Sequence, residues 1–232
     1  EVIFQPIYSD EFATMDDEET GFDARVYQNA DNPNEIIIGF RGTEGSDPLG
    51  EGWPDIKADA QNFVFNRGEL DRHDLDNQFM KAYDLYLTVS YEYPDAEISL
   101  TGHSLGAGMA TYLAAMFDLE AVGFSTPSSY HLLPEREKEK VLQGYYDDKI
   151  VNYVHPNDMI GAGPLQEWER QIGSTYYIGD PYATANYGKN PLSRLLGTFG
   201  AHELKNFVFD EYGNINNPAI FDVLNGFFIT SS

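Results

Sequence analysis

The sequence predicts an α/β fold: a mostly parallel central sheet flanked by helices, with short lid or cap insertions, in one domain over residues 1–232. Three observations predict it. Strand-like and helix-like segments alternate along the chain, the order that builds parallel sheets with helical crossovers. In "AEISLTGHSLGAGMA" (residues 96–110) a strand pattern passes through a Gly-rich turn directly into a helix pattern. No internal repeat or low-complexity linker divides the chain, and at 42% hydrophobic and 14% aromatic it can build a sizeable core.

The elements follow in order. The acidic stretch Asp10 to Glu19 reads as a surface loop or the first turns of a helix. "ARVYQN" and "EIIIGF" read as two strands, with the turn formers "DNPN" between them. Leu75 to Tyr91 carries apolar positions at helical spacing and ends before Pro94. "AEISLT" alternates like a strand, and Leu105, Met109, Tyr112, Leu113 and Met116 recur as on a helix. "AVGFS" is a short strand. "PEREKEKVLQGYY" is a helix with Pro134 at its start. "KIVNYVHPND" is a strand running into a loop, and "STYYIG" is a further strand. Pro181 to Pro191 reads as loop, and 201–216 as a helical turn followed by a hairpin around Tyr212, Gly213 and Asn214.

Composition excludes several function classes. A net charge of −24 with only 14 Lys and Arg argues against nucleic-acid binding, which needs cations for phosphate. It also disfavours adsorption to anionic membranes. The surface reads as highly solvated; the functional alternative is Ca²⁺ on clusters such as Asp16, Asp17, Glu18 and Glu19, although no D-x-D-x-D-G loop is present. The absence of cysteine rules out disulfides, thiol catalysis and cysteine metal sites. No run approaches the 18 or so apolar residues of a membrane span. With neither signal peptide nor initiator Met, the start at Glu1 suggests a processed or excised form.

Ser104 lies between Gly102 and Gly106 at the end of the strand pattern. Glycines there relieve the crowding of a tight turn around a serine in strained backbone, and the helix that follows aims N–H groups at whatever the serine attacks. The alternative is an ordinary Gly-rich turn. A nucleophilic serine needs a base and a group that orients it. Among five histidines, His73 reads as surface, His103 as projecting away from the turn, and His131 as lacking an orienting partner. His202, on a late loop, leaves room for a strand-end acid between itself and the serine, in the chain order Ser…Asp…His. Asp158 closes the strand "KIVNYVHPND" and is the acid; its alternative reading is a turn aspartate. For the oxyanion, the strand ending in Gly42 and Thr43 offers a hydroxyl and backbone donors, and the N–H of Leu105 is the second donor. Arg41 reads as a structural anchor.

Together "FRGTE" (40–44), "GHSLGA" (102–107), Trp53 followed by Asp55, "NDMI" at Asp158 and His202 before Leu204 and Phe207 resemble the class 3, fungal-type lipases of the α/β-hydrolase superfamily and their bacterial relatives. "VGFSTPSS" is a degraded match to the strand after the elbow helix, lacking the usual Arg. The resemblance implies hydrolysis of carboxylic esters of lipids, as a triacylglycerol lipase or esterase, through an acyl-enzyme, no cofactor, no catalytic metal, transient contact with a lipid interface, and a secreted or cell-surface bacterial protein. It leaves as alternatives a phospholipase A1, as a secreted antibacterial effector domain, a thioesterase or protease on the same fold, or a non-catalytic hydrolase-fold binding protein. Only "EGSDPLGEG" separates Thr43 from Trp53, so a lid there is minimal. Tyr130 to Tyr146 and Leu192 to Phe199 are candidate acyl-binding rims, with core packing as the plainer reading of both.

Overall fold

A computed structural model describes residues 2–8, 16–17, 22–42, 72–163 and 166–229. Thr43, the minimal lid from Glu44 to Gly52, Trp53, Asp55 and most of the acidic stretch lie outside the described residues, as do the side chains of Asp16, Asp17 and His73.

Ten strands are described: β1 (Phe4–Ile7), β2 (Asp16–Asp17), β3 (Phe22–Asn29), β4 (Glu35–Phe40), β5 (Glu97–His103), β6 (Glu120–Phe124), β7 (Ile150–Val154), β8 (Ser174–Tyr177), β9 (Ile220–Asp222) and β10 (Phe227–Ile229). Their order is β1-β3-β4-β5-β6-β7-β8-β9-β10, with β2 on β3. β4 to β8 run parallel and form the centre. The strands outside them pair antiparallel. The parallel centre is the sheet expected, and the antiparallel strands outside it make the whole mixed. Asp16–Asp17 pairs with Asp23 and Phe22 as a short strand, which corrects the loop-or-helix reading of that stretch.

Alternation sets which face is buried. In β4, Ile36, Ile38 and Phe40 are buried, and across the ladder Ile98, Leu100 and Ala121 continue the same apolar face. That face packs on α1 (Arg72–Glu92) and α2 (Leu105–Phe117) through Ala82, Leu85, Val89, Met109, Ala110 and Leu113. A fully buried Leu100 or Leu113 stabilises the fold by roughly 1.5–3 kcal/mol. The two helices lock through aromatic rings: Phe79 on Tyr112 at 5.4 Å and Tyr86 on Phe117 at 4.4 Å. α3 (Glu135–Leu142) closes the same core with Val141, and Tyr146 beyond it donates its hydroxyl to the Ala115 carbonyl. In the Tyr130 to Tyr146 segment, Leu133, Val141 and Tyr146 are buried in the core, while Leu142 and Tyr145 are exposed.

The segment read as loop after Pro181 contains one turn of helix, α4 (Tyr182–Ala185), and Asn190 then caps a helix that the loop reading did not foresee, α5 (Pro191–Ala201). Asn190 Oδ1 accepts from the Ser193 N–H at 2.9 Å, and Pro191 occupies the first helical position. Near the end, Phe209 bridges Ile215 around Asp210, as the hairpin reading expected.

Register decides where chemistry can sit. Phe40 pairs Gly102, His103 pairs Phe124, and Phe124 pairs Tyr153. The carboxyl ends of β4, β5, β6 and β7 are thus level, and the loops after them open along one edge of the sheet. Ser104, Ser125 and Asp158 all lie there.

Candidate active site

The turn from β5 into α2 holds Ser104 at φ +56°, ψ −129°, a strained conformation for a residue with a side chain. Its neighbours make the turn possible. A Cβ on Gly106 would lie 2.2 Å from the Phe40 carbonyl oxygen, and one on Gly102 would lie 2.4 Å from the backbone of Gly106. Only glycine permits β4, β5 and α2 to approach so closely. The Ser104 N–H donates to the Phe124 carbonyl at 3.0 Å, and its own carbonyl accepts from Ala107 at 2.9 Å. The backbone is therefore held on both sides while Oγ stays free to react.

That Oγ is 2.8 Å from Nε2 of His202. Nδ1 of the same ring is 2.8 Å from Oδ2 of Asp158. Asp158 is wholly buried, and its Oδ1 accepts from the Ile160 N–H at 2.9 Å. With an anionic acceptor on one side, the neutral imidazole carries its proton on Nδ1 and presents a lone pair to Ser104. The structure thus brings Ser104, Asp158 and His202 together, from loops 44 and 98 residues apart in sequence. Such a relay can take a proton from a serine and return it to a leaving group.

The second oxyanion candidate, Leu105, is the first residue of α2, where an N–H has no partner within the helix. Gly42 packs directly against the elbow: a Cβ there would meet Ser104 Cβ at 2.9 Å and the Leu105 nitrogen at 3.4 Å. The strand end read as an oxyanion donor therefore does abut the nucleophile, with Thr43 itself outside the described residues. Arg41 pairs with Asp23 at 3.1 Å, the anchoring role expected of it. Among the described residues no group of three or more His, Asp or Glu side chains could hold a metal ion.

His103 corrects the sequence reading. It does not project away from the site: its ring lies 5.0 Å from that of His202, and its Nε2–H donates to the His202 backbone carbonyl at 2.7 Å. Burial pushes its pKa down to about 4, and nearby His202 adds in the same direction, so the ring is neutral at pH 7. Ser125, buried and at φ +50°, donates its hydroxyl to the same carbonyl at 3.3 Å. Two donors therefore hold the backbone of the base. Thr198 was also missed. Its Oγ1 accepts from the Met159 N–H at 3.1 Å, which ties α5 to the loop carrying Asp158.

Comparison with known proteins places the chain among lipases and phospholipases. Residues 7–129, just over half of the chain, match the phospholipase-like family described as the Tle-like phospholipase domain. Curated relatives named "Putative lipase ATG15" align over shorter stretches: 44% identity over 61 residues in Saccharomyces cerevisiae, covering 26% of this chain and 11% of that protein. In Candida glabrata the figures are 34% over 91 residues, 38% and 18%. The chain thus spans about a tenth to a fifth of the length of these relatives. They are fungal, and nothing in them supports the bacterial branch expected from the motifs. Among solved structures, lipase II from Rhizopus niveus aligns at TM-score 0.47 and 15% identity over 77% of this chain and 76% of its own. The MDLA N225Q mutant of Penicillium cyclopium aligns at 0.43 and 16% over 85% and 76%. The family match spans the elbow, both strands beside it and the helix behind it, and on that match the chain belongs to the Tle-like phospholipase domain family.

Proposed function

We propose that the chain is a serine hydrolase of carboxylic esters in lipids, working through an acyl-enzyme on Ser104. The observation that carries this reading is the unbroken relay Ser104–His202–Asp158, with both hydrogen bonds at 2.8 Å. Ser104 Oγ attacks the ester carbonyl as its proton passes to His202 Nε2. Asp158 stabilises the imidazolium that forms. The carbonyl oxygen, now negative, accepts from the Leu105 N–H and from Thr43. His202 returns the proton to the departing alcohol, leaving the acyl group on Ser104. Water then repeats the sequence, with His202 as base, and frees the fatty acid. No redox or cofactor step enters this chemistry.

Within lipid esters, the family description favours a glycerophospholipid, whereas the relatives carry the word lipase without naming a substrate. Phospholipase activity at an acyl ester is therefore the second reading, favoured by the family match over a triacylglycerol. A chain that only binds would not need a serine held in strained backbone against a base.

The test is release of fatty acid from phosphatidylcholine, triacylglycerol and a nitrophenyl ester, with the Ser104→Ala protein as blank. Hydrolysis of at least one lipid, lost in the variant, is the expected result. No hydrolysis of any ester by the unmodified protein would contradict the proposal.

A further inference from the structure

Helix α5 is built inside out. Its inward face mixes polar and small apolar residues: Arg194 donates to the Tyr182 hydroxyl and to the Gly163 carbonyl, Thr198 holds the Asp158 loop, and Ala201 is buried beside them. Its leucines face water, with Leu192 65% exposed, Leu195 41% and Leu196 61%. They stand at i, i+3 and i+4, one stripe along the helix. A helix packed for water alone would be turned the other way. The stripe ends beside the site, because His202 caps α5, with its N–H on the Thr198 carbonyl at 2.8 Å. Leu196 is six residues from His202, about 9 Å along the axis.

Charge supplies an independent observation. The chain holds 38 Asp and Glu, yet between residues 181 and 209 the only one is Glu203. Lys189 and Lys205 fall in the same stretch, Lys205 paired with Glu203 at 2.5 Å and Arg194 turned inward, so this segment is close to neutral, with a small positive excess, on a protein of net charge −24. Among the described residues beside the site, this stretch is poor in the carboxylates that would repel a layer of phosphate headgroups. Tyr187, 90% exposed, adds an amphipathic ring of the kind that settles at headgroup depth. A second copy of the chain is a poorer occupant. Three leucines on a helix of eleven residues fall well short of the roughly 800 Å² per partner of a stable interface.

We infer that the Leu192–Leu195–Leu196 face of α5 is the surface by which the protein seats on a phospholipid layer, with the leucines among the acyl chains and Lys189 and Lys205 at headgroup level. This rests on the reading of the chain as a lipid hydrolase, and it names which face meets the substrate. Docking through α5 brings His202 and Ser104 to the layer. Thr198 keeps the helix fixed to the loop of Asp158, and Asn190 caps its first turn.

The absence of cysteine makes the test clean, since one introduced thiol takes one label. In a Ser104→Ala background, which spares the vesicles, Leu196→Cys and Tyr91→Cys are each labelled with an environment-sensitive fluorophore and mixed with phosphatidylcholine vesicles. Tyr91 is also exposed, 84% against 61% for Leu196, and lies in the last turn of α1, which leads into the opposite end of β5. The label at position 196 should brighten and shift to the blue, and the label at 91 should not. Flotation of the combined Leu192→Ser, Leu195→Ser, Leu196→Ser protein should fall at least about tenfold, its circular dichroism unchanged. No response at 196, equal responses at both positions, or flotation untouched by the substitutions would overturn the inference, as would a dimer dissolved by the same changes. Binding is read without turnover. Vesicle hydrolysis by the unmodified protein with no response at 196 would therefore overturn the docking face alone. A response at 196 without any lipid hydrolysis would overturn the functional reading alone.

Discussion

His103 Nε2 and the backbone carbonyl oxygen of His202 lie 2.7 Å apart, across 99 residues of sequence. The residue next to the nucleophile therefore holds the main chain of the base. Ser125 adds a second donor to the same oxygen. His103→Ala should lower kcat by roughly ten- to a hundredfold while KM changes little, because the ring of His202 loses its fixed height over Ser104. His103→Gln, which keeps a donor near the same place, should recover part of the loss. Steady-state kinetics on a soluble nitrophenyl ester give the answer; a change in KM alone would show that His103 acts elsewhere.

The same histidine makes stability depend on pH. Folded, its pKa is about 4, below the ordinary 6.5. As pH falls through that window the unfolded chain takes up a proton that the fold refuses, so stability present above 6.5 is lost on the way to 4, by an amount of order 3 kcal/mol. Burial shifts His131 and His155 in the same direction. Urea midpoints at pH 6.5 and 4.5 should drop more for the unmodified protein than for His103→Gln. Equal drops would place the lost stability in other groups.

Two glycines should respond in opposite directions. Gly106→Ala puts a methyl 2.2 Å from the Phe40 carbonyl oxygen and should destabilise by about 3 kcal/mol or prevent folding. Gly197→Ala, in the middle of α5 with nothing within 4 Å, should stabilise by about 0.5–1 kcal/mol. Thermal unfolding of both variants decides, and a harmless Gly106→Ala would mean the elbow is not as tight as described.

Much of the site was legible because its signals are local. Gly102, Ser104 and Gly106 sit within five residues, and the change from strand to helix period occurs across them. Asp158 could be read from its place after a β-rich run, and His202 from chain order. What escaped was long-range. Nothing near His103 announces a carbonyl 99 residues away, and Ser125 lay in a stretch noticed chiefly for the arginine it lacks. α5 had a visible start in Asn190 and Pro191, and Leu192, Leu195, Leu196 and Phe199 keep helical spacing. Its leucines suggested a buried face, the opposite of their position. Strand β9 and the edge strand β10, of three residues each, are too short for periodicity to speak.

Net charge should govern which lipid surfaces are approached. At −24 the protein and an anionic layer repel each other over tens of ångströms at low salt, and over about 10 Å at 0.1 M. Added salt should raise hydrolysis of phosphatidylglycerol vesicles most, phosphatidylcholine less, and a soluble nitrophenyl ester least. Initial rates against salt with one enzyme stock test this; identical salt dependence for all three would remove surface charge as the cause.

The most direct measurement of the central claim is covalent. A fluorophosphonate that reacts only with an activated serine is added to the unmodified protein, to Ser104→Ala and to Asp158→Asn, and the adduct is located by peptide mass. One adduct is expected, on Ser104, absent from Ser104→Ala and formed at least about a hundredfold more slowly in Asp158→Asn, where His202 has lost its orienting partner. An adduct on another serine, or equal rates with and without the Asp158 carboxylate, would contradict the account.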